Sequence, residues 1–216
     1  MTKVKVDLTG KVALITGGGS GIGRGFALRL AADGAAAIVT DLNGNAAAEV
    51  AAEIATLGGR SFSRPVDVTD PAALPPVIAE TLTRFGQLDF LFANAGALGP
   101  PDLLMTTPQD WDLVLGVNVK GVALACQAVM PHMMARRQGR IVITASYNGI
   151  RSGAHVIPYR VSKAAVLMYT RCLALVMAPY NVTVNAICPG VTLTPMQLDY
   201  AAKTAAEQGM TKEAYL

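Results

Sequence analysis

"KVALITGGGSGIG", Lys11–Gly23, is the stretch on which the fold turns. Lys11–Thr16 is a short apolar run that enters a glycine cluster, as a buried parallel strand does. From Gly21 a helix follows, with Ile22, Phe26 and Leu30 on one face and Gly34 at its end. "TGGGSGIG" (Thr16–Gly23) therefore joins a strand to a helix. Glycines there allow a tight turn and let the backbone approach a pyrophosphate, while the helix start supplies N–H donors and positive dipole. A glycine cluster alone is as often structural as functional. Its place between strand and helix is what favours phosphate binding.

The same alternation continues along the chain. Ala36–Asp41 reads as a strand and "AAAEVAAEIATLG" as a helix closed by Gly58. The pattern then predicts a strand near Ser61–Val66, a helix over Pro71–Phe85 and a strand at Leu88–Ala93. A long helix around Trp111–Met134, a strand at Arg140–Thr144, a helix from Pro158 to Tyr180 and a strand at Val182–Ile187 complete it. Repeated βα units make one open parallel sheet with helices on both faces, a single-domain doubly wound α/β fold of Rossmann-like type. Ligands of such sheets bind beyond the carboxyl ends of the strands, so the informative residues should follow strands.

Composition narrows the partners. The chain has 216 residues, 52% apolar and 15% charged, with a net charge of +3, which suits one globular domain. The basic cluster "RRQGR" (Arg136–Arg140) follows a helical run, where cations favour the C-terminal dipole. No basic stripe with aromatics points to nucleic acid. Cys126, Cys172 and Cys188 sit singly, and with only His132 and His155 neither a disulfide framework nor a metal site is suggested. "MTKVKVDLTGK" lacks the apolar core of a signal peptide. The apolar stretch Ala164–Ala178 is broken by Arg171 and is short for a bilayer. A soluble protein of the reducing cytoplasm, with no membrane partner, is the expectation.

Asp41 ends the second strand, about twenty residues beyond the glycines. A carboxylate there can accept hydrogen bonds from both adenosine ribose hydroxyls and would repel a 2′-phosphate. Leu42 and Asn43 follow it, and no Arg or Lys lies in the glycine loop. The other reading is an Asp that caps the next turn. NAD is favoured over NADP. Further on, Tyr159 and Lys163 lie four apart and so share a helical face. Alone they could be two side chains snorkelling at a helix start.

Taken together, the glycine loop, "ANAG" after the fourth strand and Tyr-x-x-x-Lys make the chain resemble the short-chain dehydrogenase/reductase family, from residue 11 to about 196. The resemblance implies that Gly17, Ser20, Gly21, Ile22 and Gly23 hold the cofactor's phosphates, with Asp41 and Leu42 at the ribose. It implies that Asp67 and Val68 contact adenine and that Asn94, Ala95 and Gly96 buttress the central strand beside the cofactor. "PGVTLT" resembles the loop that holds the nicotinamide, here Pro189, Gly190, Val191 and Thr194. The catalytic set falls on Asn118, Ser146, Tyr159 and Lys163, with Ser146 thirteen residues before Tyr159.

The implied reaction interconverts a secondary alcohol and a ketone. A free Tyr has a pKa near 10, and a nearby Lys163, together with the positive charge of oxidised nicotinamide, should favour the phenolate and so a usable base. Lys163 should also orient the nicotinamide ribose, Ser146 should donate to the substrate oxygen, and Asn118 should fix a water in a proton path. Two alternatives remain: an NADP-dependent carbonyl reductase and a non-catalytic dinucleotide-binding protein. Substrate choice is assigned to Ala97–Met105, to Tyr147–Pro158 with its polar Asn148, Arg151 and His155, and to the segment after Pro195. Family members continue into another helix and a seventh strand, so the sheet is expected to lack its C-terminal strand and the lobe beginning near 195 to be incomplete. They also commonly pair through the two long helices, which implies a homodimer or homotetramer.

Overall fold

The computed structural model describes residues 6–207, 209–211 and 214. The first five residues and Leu216, on which expectations about the chain's ends fall, lie outside them. Six strands form one sheet: β1 (Val12–Thr16), β2 (Ala36–Asp41), β3 (Ser61–Pro65), β4 (Phe90–Ala93), β5 (Gly139–Thr144) and β6 (Val182–Ile187). Their order is β3-β2-β1-β4-β5-β6 and every pair is parallel.

β1 shows why the chain folds this way. Its residues are all buried, and successive side chains point to opposite faces. Val12 and Leu14 enter one core; Ala13 and Ile15 enter the other. The second core is closed by Ala27 of α1 (Gly21–Ala32) and by Ala47, Val50 and Ile54 of α2 (Gly44–Thr56). The first is closed by α3 (Leu74–Phe85), α5 (Val122–Arg136) and α6 (Ile157–Met177), through Val77, Val129, Met133, Val166 and Met177.

The chain runs outward from β1 to β3, then returns to place β4 beside β1. That reversal leaves a crevice at the carboxyl ends of β1 and β4. The glycine loop and "NAG" both open into it.

Two helices differ from the sequence reading. α3 starts at Leu74 because Asp70 caps a turn: its Oδ1 accepts from Ala72 N at 2.9 Å. The long helix is divided into α4 (Pro108–Leu115), a π-helical turn at Gly116–Gly121, and α5. α4 is started by a reciprocal capping box between Thr107 and Asp110. After β6 comes α7 (Pro195–Glu207). The helical runs Pro108–Arg136 and Ile157–Tyr180 are long and apolar enough to cross a membrane by length and composition. Both lie against the sheet, so their apolar stripes serve the core.

The end of the sheet opposite the crevice is held by a buried carboxylate. Asp89 Oδ2 accepts from Val12 N at 3.0 Å, and Arg136 reaches Oδ1 at 3.3 Å. Beside it, His132 Nε2 accepts from Leu88 N at 3.2 Å, which requires a neutral ring. Burial, then the Arg136 charge, holds His132 below its ordinary value, with Asp89 opposing. A depressed folded-state pKa gives stability that is present at neutral pH and is lost as the pH falls through that value. Wild type should therefore melt above His132→Asn at pH 7.5, and the gap should close toward pH 5. A gap independent of pH would refute this.

Candidate active site

At the head of the crevice, Gly17 has φ +63°, and a Cβ there would lie 2.8 Å from Ala95 Cα. Gly23 is tighter still: its Cβ would meet the Gly17 carbonyl oxygen at 2.1 Å. These glycines let the loop, the start of α1 and the end of β4 converge. Ser20, the N-cap of α1, makes no side-chain capping bond, and the first turn carries no acid. Its N–H groups and dipole are thus available to an anion.

Asp41 closes the other side. Its Oδ2 accepts from Gly19 N at 3.0 Å and its Oδ1 from Asn43 N at 2.9 Å. Both roles considered for this residue are compatible, since the carboxylate caps the turn and also lines the crevice. Asp67, lower in the crevice, is held below the usual carboxylate range by hydrogen bonds from the Thr69 hydroxyl and backbone N–H.

Asn94 knits three strands together. Its Nδ2 donates to the carbonyls of Thr16 and Gly17 at 3.2 and 3.1 Å, and its Oδ1 accepts from Thr144 Oγ1 at 3.1 Å. Thr16 Oγ1 accepts in turn from Asn94 N and Ala95 N. The floor of the crevice is therefore rigid across β1, β4 and β5.

Tyr159 and Lys163 lie on the first turns of α6, against the end of β5. Lys163 is 3% exposed, and its Nζ donates to the Thr144 carbonyl at 2.7 Å. Burial lowers its pKa to about 8. The ammonium sits 5.4 Å from the centre of the Tyr159 ring. Burial pushes the Tyr159 phenol above the ordinary value, and the neighbouring Ser146 hydroxyl works the other way. In the protein without cofactor, burial therefore favours the neutral phenol.

Asn118 sits deeper in the fold. In the π-helical turn it is fully buried; its Oδ1 accepts from Ala97 N at 2.7 Å, and its Nδ2 donates to Ala97 O at 2.8 Å and to Ser162 Oγ at 2.9 Å. The amide pins the loop after Gly96 to α6. π turns often mark functional positions.

Two adjoining cavities share Tyr159, Thr144 and Thr194. The larger, about 370 Å³, is lined by Gly17, Ser20, Gly21 and Ile22 at one end. Asp41, Leu42, Asp67 and Val68 line its side, and Asn94, Ala95, Gly96 and Lys163 its floor. The smaller, about 130 Å³, is lined by Ser146, Pro189, Gly190 and Val191. Gly23 and Asn118 line neither; they support residues that do. Of the polar trio Asn148, Arg151 and His155, Asn148 alone lines either of these two cavities.

Comparison with known proteins agrees with this geometry. The sequence model of the short chain dehydrogenase family matches residues 11–205. The chain belongs to the short-chain dehydrogenase/reductase family. It is 37% identical over 191 residues to the (2S)-[(R)-hydroxy(phenyl)methyl]succinyl-CoA dehydrogenase subunit of Thauera aromatica, covering 88% of this chain and 77% of the relative. A solved NAD+-bound xylitol dehydrogenase is similar with a TM-score of 0.87 and 36% identity, over 91% of this chain and 76% of that one. A short chain dehydrogenase from Burkholderia cenocepacia in complex with NADP follows with a TM-score of 0.81 and 40% identity, over 88% and 77%. This short-chain dehydrogenase is thus an oxidoreductase that uses a nicotinamide dinucleotide, for which the glycine cradle, the free helix start and the larger cavity are a physical fit.

Three contributors escaped the sequence reading: Thr16, Thr144 and Ser162. Ser162 Oγ donates to Tyr159 O at 2.7 Å while accepting from Asn118. Its place inside Tyr-x-x-x-Lys was the one available signal. The others act through carbonyls, amides or hydroxyls whose partners lie far along the chain.

Proposed function

We propose that this short-chain dehydrogenase interconverts a secondary alcohol and a ketone with NAD, through Tyr159, Ser146, Lys163 and Asn118. The observation that carries the reading is that Ser146 and Tyr159 line the smaller cavity together, while Tyr159 and the buried Lys163 line the larger one that adjoins it. A nicotinamide held where the two cavities adjoin would accept or supply the hydride. Ser146 donates to the substrate oxygen in the smaller cavity, where developing negative charge needs a donor. Tyr159 takes the alcohol proton during oxidation and returns it to the ketone oxygen during reduction.

Desolvation keeps the phenol protonated in the free protein, ready to act as the acid for reduction. Its use as a base requires positive charge nearby, which Lys163 and oxidised nicotinamide would both provide. Asn118, through Ala97 and Ser162, keeps the loop and α6 in register. Gly17 to Gly23 hold the pyrophosphate, Asp41 and Leu42 the adenosine ribose, Asp67 and Val68 the adenine, and Pro189 to Thr194 the nicotinamide side. NADH absorbance followed over a panel of ketones and alcohols tests the reading. No turnover of any member, with NADH shown to bind, would leave the non-catalytic alternative.

We also take the protein to act in the cytoplasm as a dimer or tetramer. Its cysteines are unpaired, and α6 exposes Val161, Met168, Leu175 and Val176. Light scattering at micromolar concentration should report more than one chain per particle, and Leu175→Glu should shift it toward monomer. A clean wild-type monomer would overturn this.

A further inference from the structure

Tyr159 is the third residue of α6, and that helix begins without a side-chain cap on its first turn. Its N-cap, Val156, is buried and has φ +51° and ψ +46°. A β-branched residue rarely adopts this left-handed backbone, and it persists only where the surroundings hold it. Helix ends fray, so the turn that carries the proposed acid–base group needs an anchor. Lys163, one turn further on, has its own in the Thr144 carbonyl.

Arg160 supplies the missing anchor. Its Nε donates to the His155 carbonyl and its Nη1 to the Arg151 carbonyl, each at 2.9 Å. The half-buried guanidinium thus lies inside the exposed bend from Arg151 to His155. Gly153 lets that bend close, since a Cβ there would collide with the guanidinium. Among the described residues Arg160 makes no ion pair. Nor does the backbone of Ser152–His155 have another hydrogen-bond partner among them. At its two ends the bend is tied elsewhere: Arg151 N donates to Tyr147 O at 3.1 Å, and Val156 N to Pro101 O at 2.9 Å. Arg160 therefore joins the segment that leaves Ser146 to the helical turn that presents Tyr159.

We infer that Arg160 is a positioning residue for the proposed reaction. By clamping two carbonyls it holds the strained Val156, and with it the first turn of α6, so that the Tyr159 phenol meets the substrate oxygen. A guanidinium is suited to this because its planar fork holds two acceptors at once, whereas an ammonium is a point charge. The inference rests on the proposed alcohol–ketone chemistry and adds the residue that aims its acid–base group.

The test is Arg160→Met, which keeps the stem of the side chain and removes its donors. With NADH and the ketone that wild type reduces fastest, kcat should fall ~10–100-fold, the scale of a small misplacement of a reacting group. NADH affinity, read by fluorescence, should stay close to wild type, because Lys163 keeps its Thr144 bond and the glycine loop is untouched. Arg160→Lys should give a kcat between the two. Hydrogen exchange, which needs no substrate, should quicken in the peptide covering 156–162 of the Met variant and stay unchanged in β5. Should the Met variant not fold, the same two measurements on the Lys variant decide. A folded variant with wild-type kcat, or with unchanged exchange at 156–162, overturns the inference and leaves the proposed chemistry standing. Reduction of no ketone by wild type, with NADH shown to bind, overturns both.

Discussion

Tyr159→Phe should lower turnover by about 10²–10⁴-fold, the usual contribution of a general acid–base group, with little change in NADH affinity. The substitution removes only the hydroxyl, and the Asn94 and glycine-loop contacts that shape the larger cavity do not involve it. Lys163→Met is the informative control. Burial lowers the Lys163 pKa from 10.5 to about 8, so the fold disfavours its charged form. That penalty is fully present below pH 8 and fades as the pH rises from 8 toward 10.5, because the unfolded chain binds the extra proton across that window. At pH 7 it is of order 3 kcal/mol, at 1.36 kcal/mol per unit. Lys163→Met removes this cost but leaves the Thr144 carbonyl unpaired, at about 1–3 kcal/mol. The variant should melt near wild type yet lose turnover, and it should bind cofactor more weakly. A Phe variant with near-normal turnover would remove Tyr159 from the mechanism.

Asp41 should impose a preference for NAD over NADP of about 100-fold in kcat/KM, a difference near 3 kcal/mol at 1.36 kcal/mol per tenfold. The physical reason is that the carboxylate is held from both sides, by Gly19 N and Asn43 N, and cannot swing away from a 2′-phosphate. Among the residues lining the larger cavity the one cation is Lys163, at the far end from Asp41 in the proposed binding pose. Asp41→Ala should weaken NAD use and relieve the exclusion of NADP, narrowing the ratio from both sides. Asp41→Asn removes the charge while keeping an acceptor, and should relieve the exclusion with a smaller loss of NAD binding. Added salt should narrow the ratio only slightly, since close and partly buried charges are weakly screened. Comparable kcat/KM for the two cofactors in the unmodified protein would refute the assignment. Solved family members hold either cofactor, so this measurement, rather than kinship, decides.

What the amino-acid sequence determined by itself is local. A run such as Val12–Thr16 entering glycines, and the recurrence of strand and helix patterns after it, require a parallel sheet covered on both faces. The spacing of Tyr159 and Lys163 puts both on one helical face. Such features depend on the period of the backbone and on the covalent nature of glycine, which hold wherever the segment sits. The environment of each group was decided elsewhere. Whether Tyr159 is raised or lowered depends on how deeply α6 is packed against β5, and desolvation prevailed. Asn118 reads as one residue of a long helix, but a π turn buries it and commits its amide to Ala97 and Ser162. Thr16 and Thr144 enter the site only because β1, β4 and β5 are neighbours in the sheet, with partners some fifty to eighty positions away in sequence. Hydrogen bonds between groups so far apart leave no periodic trace in the chain, and burial is a property of the assembled layers.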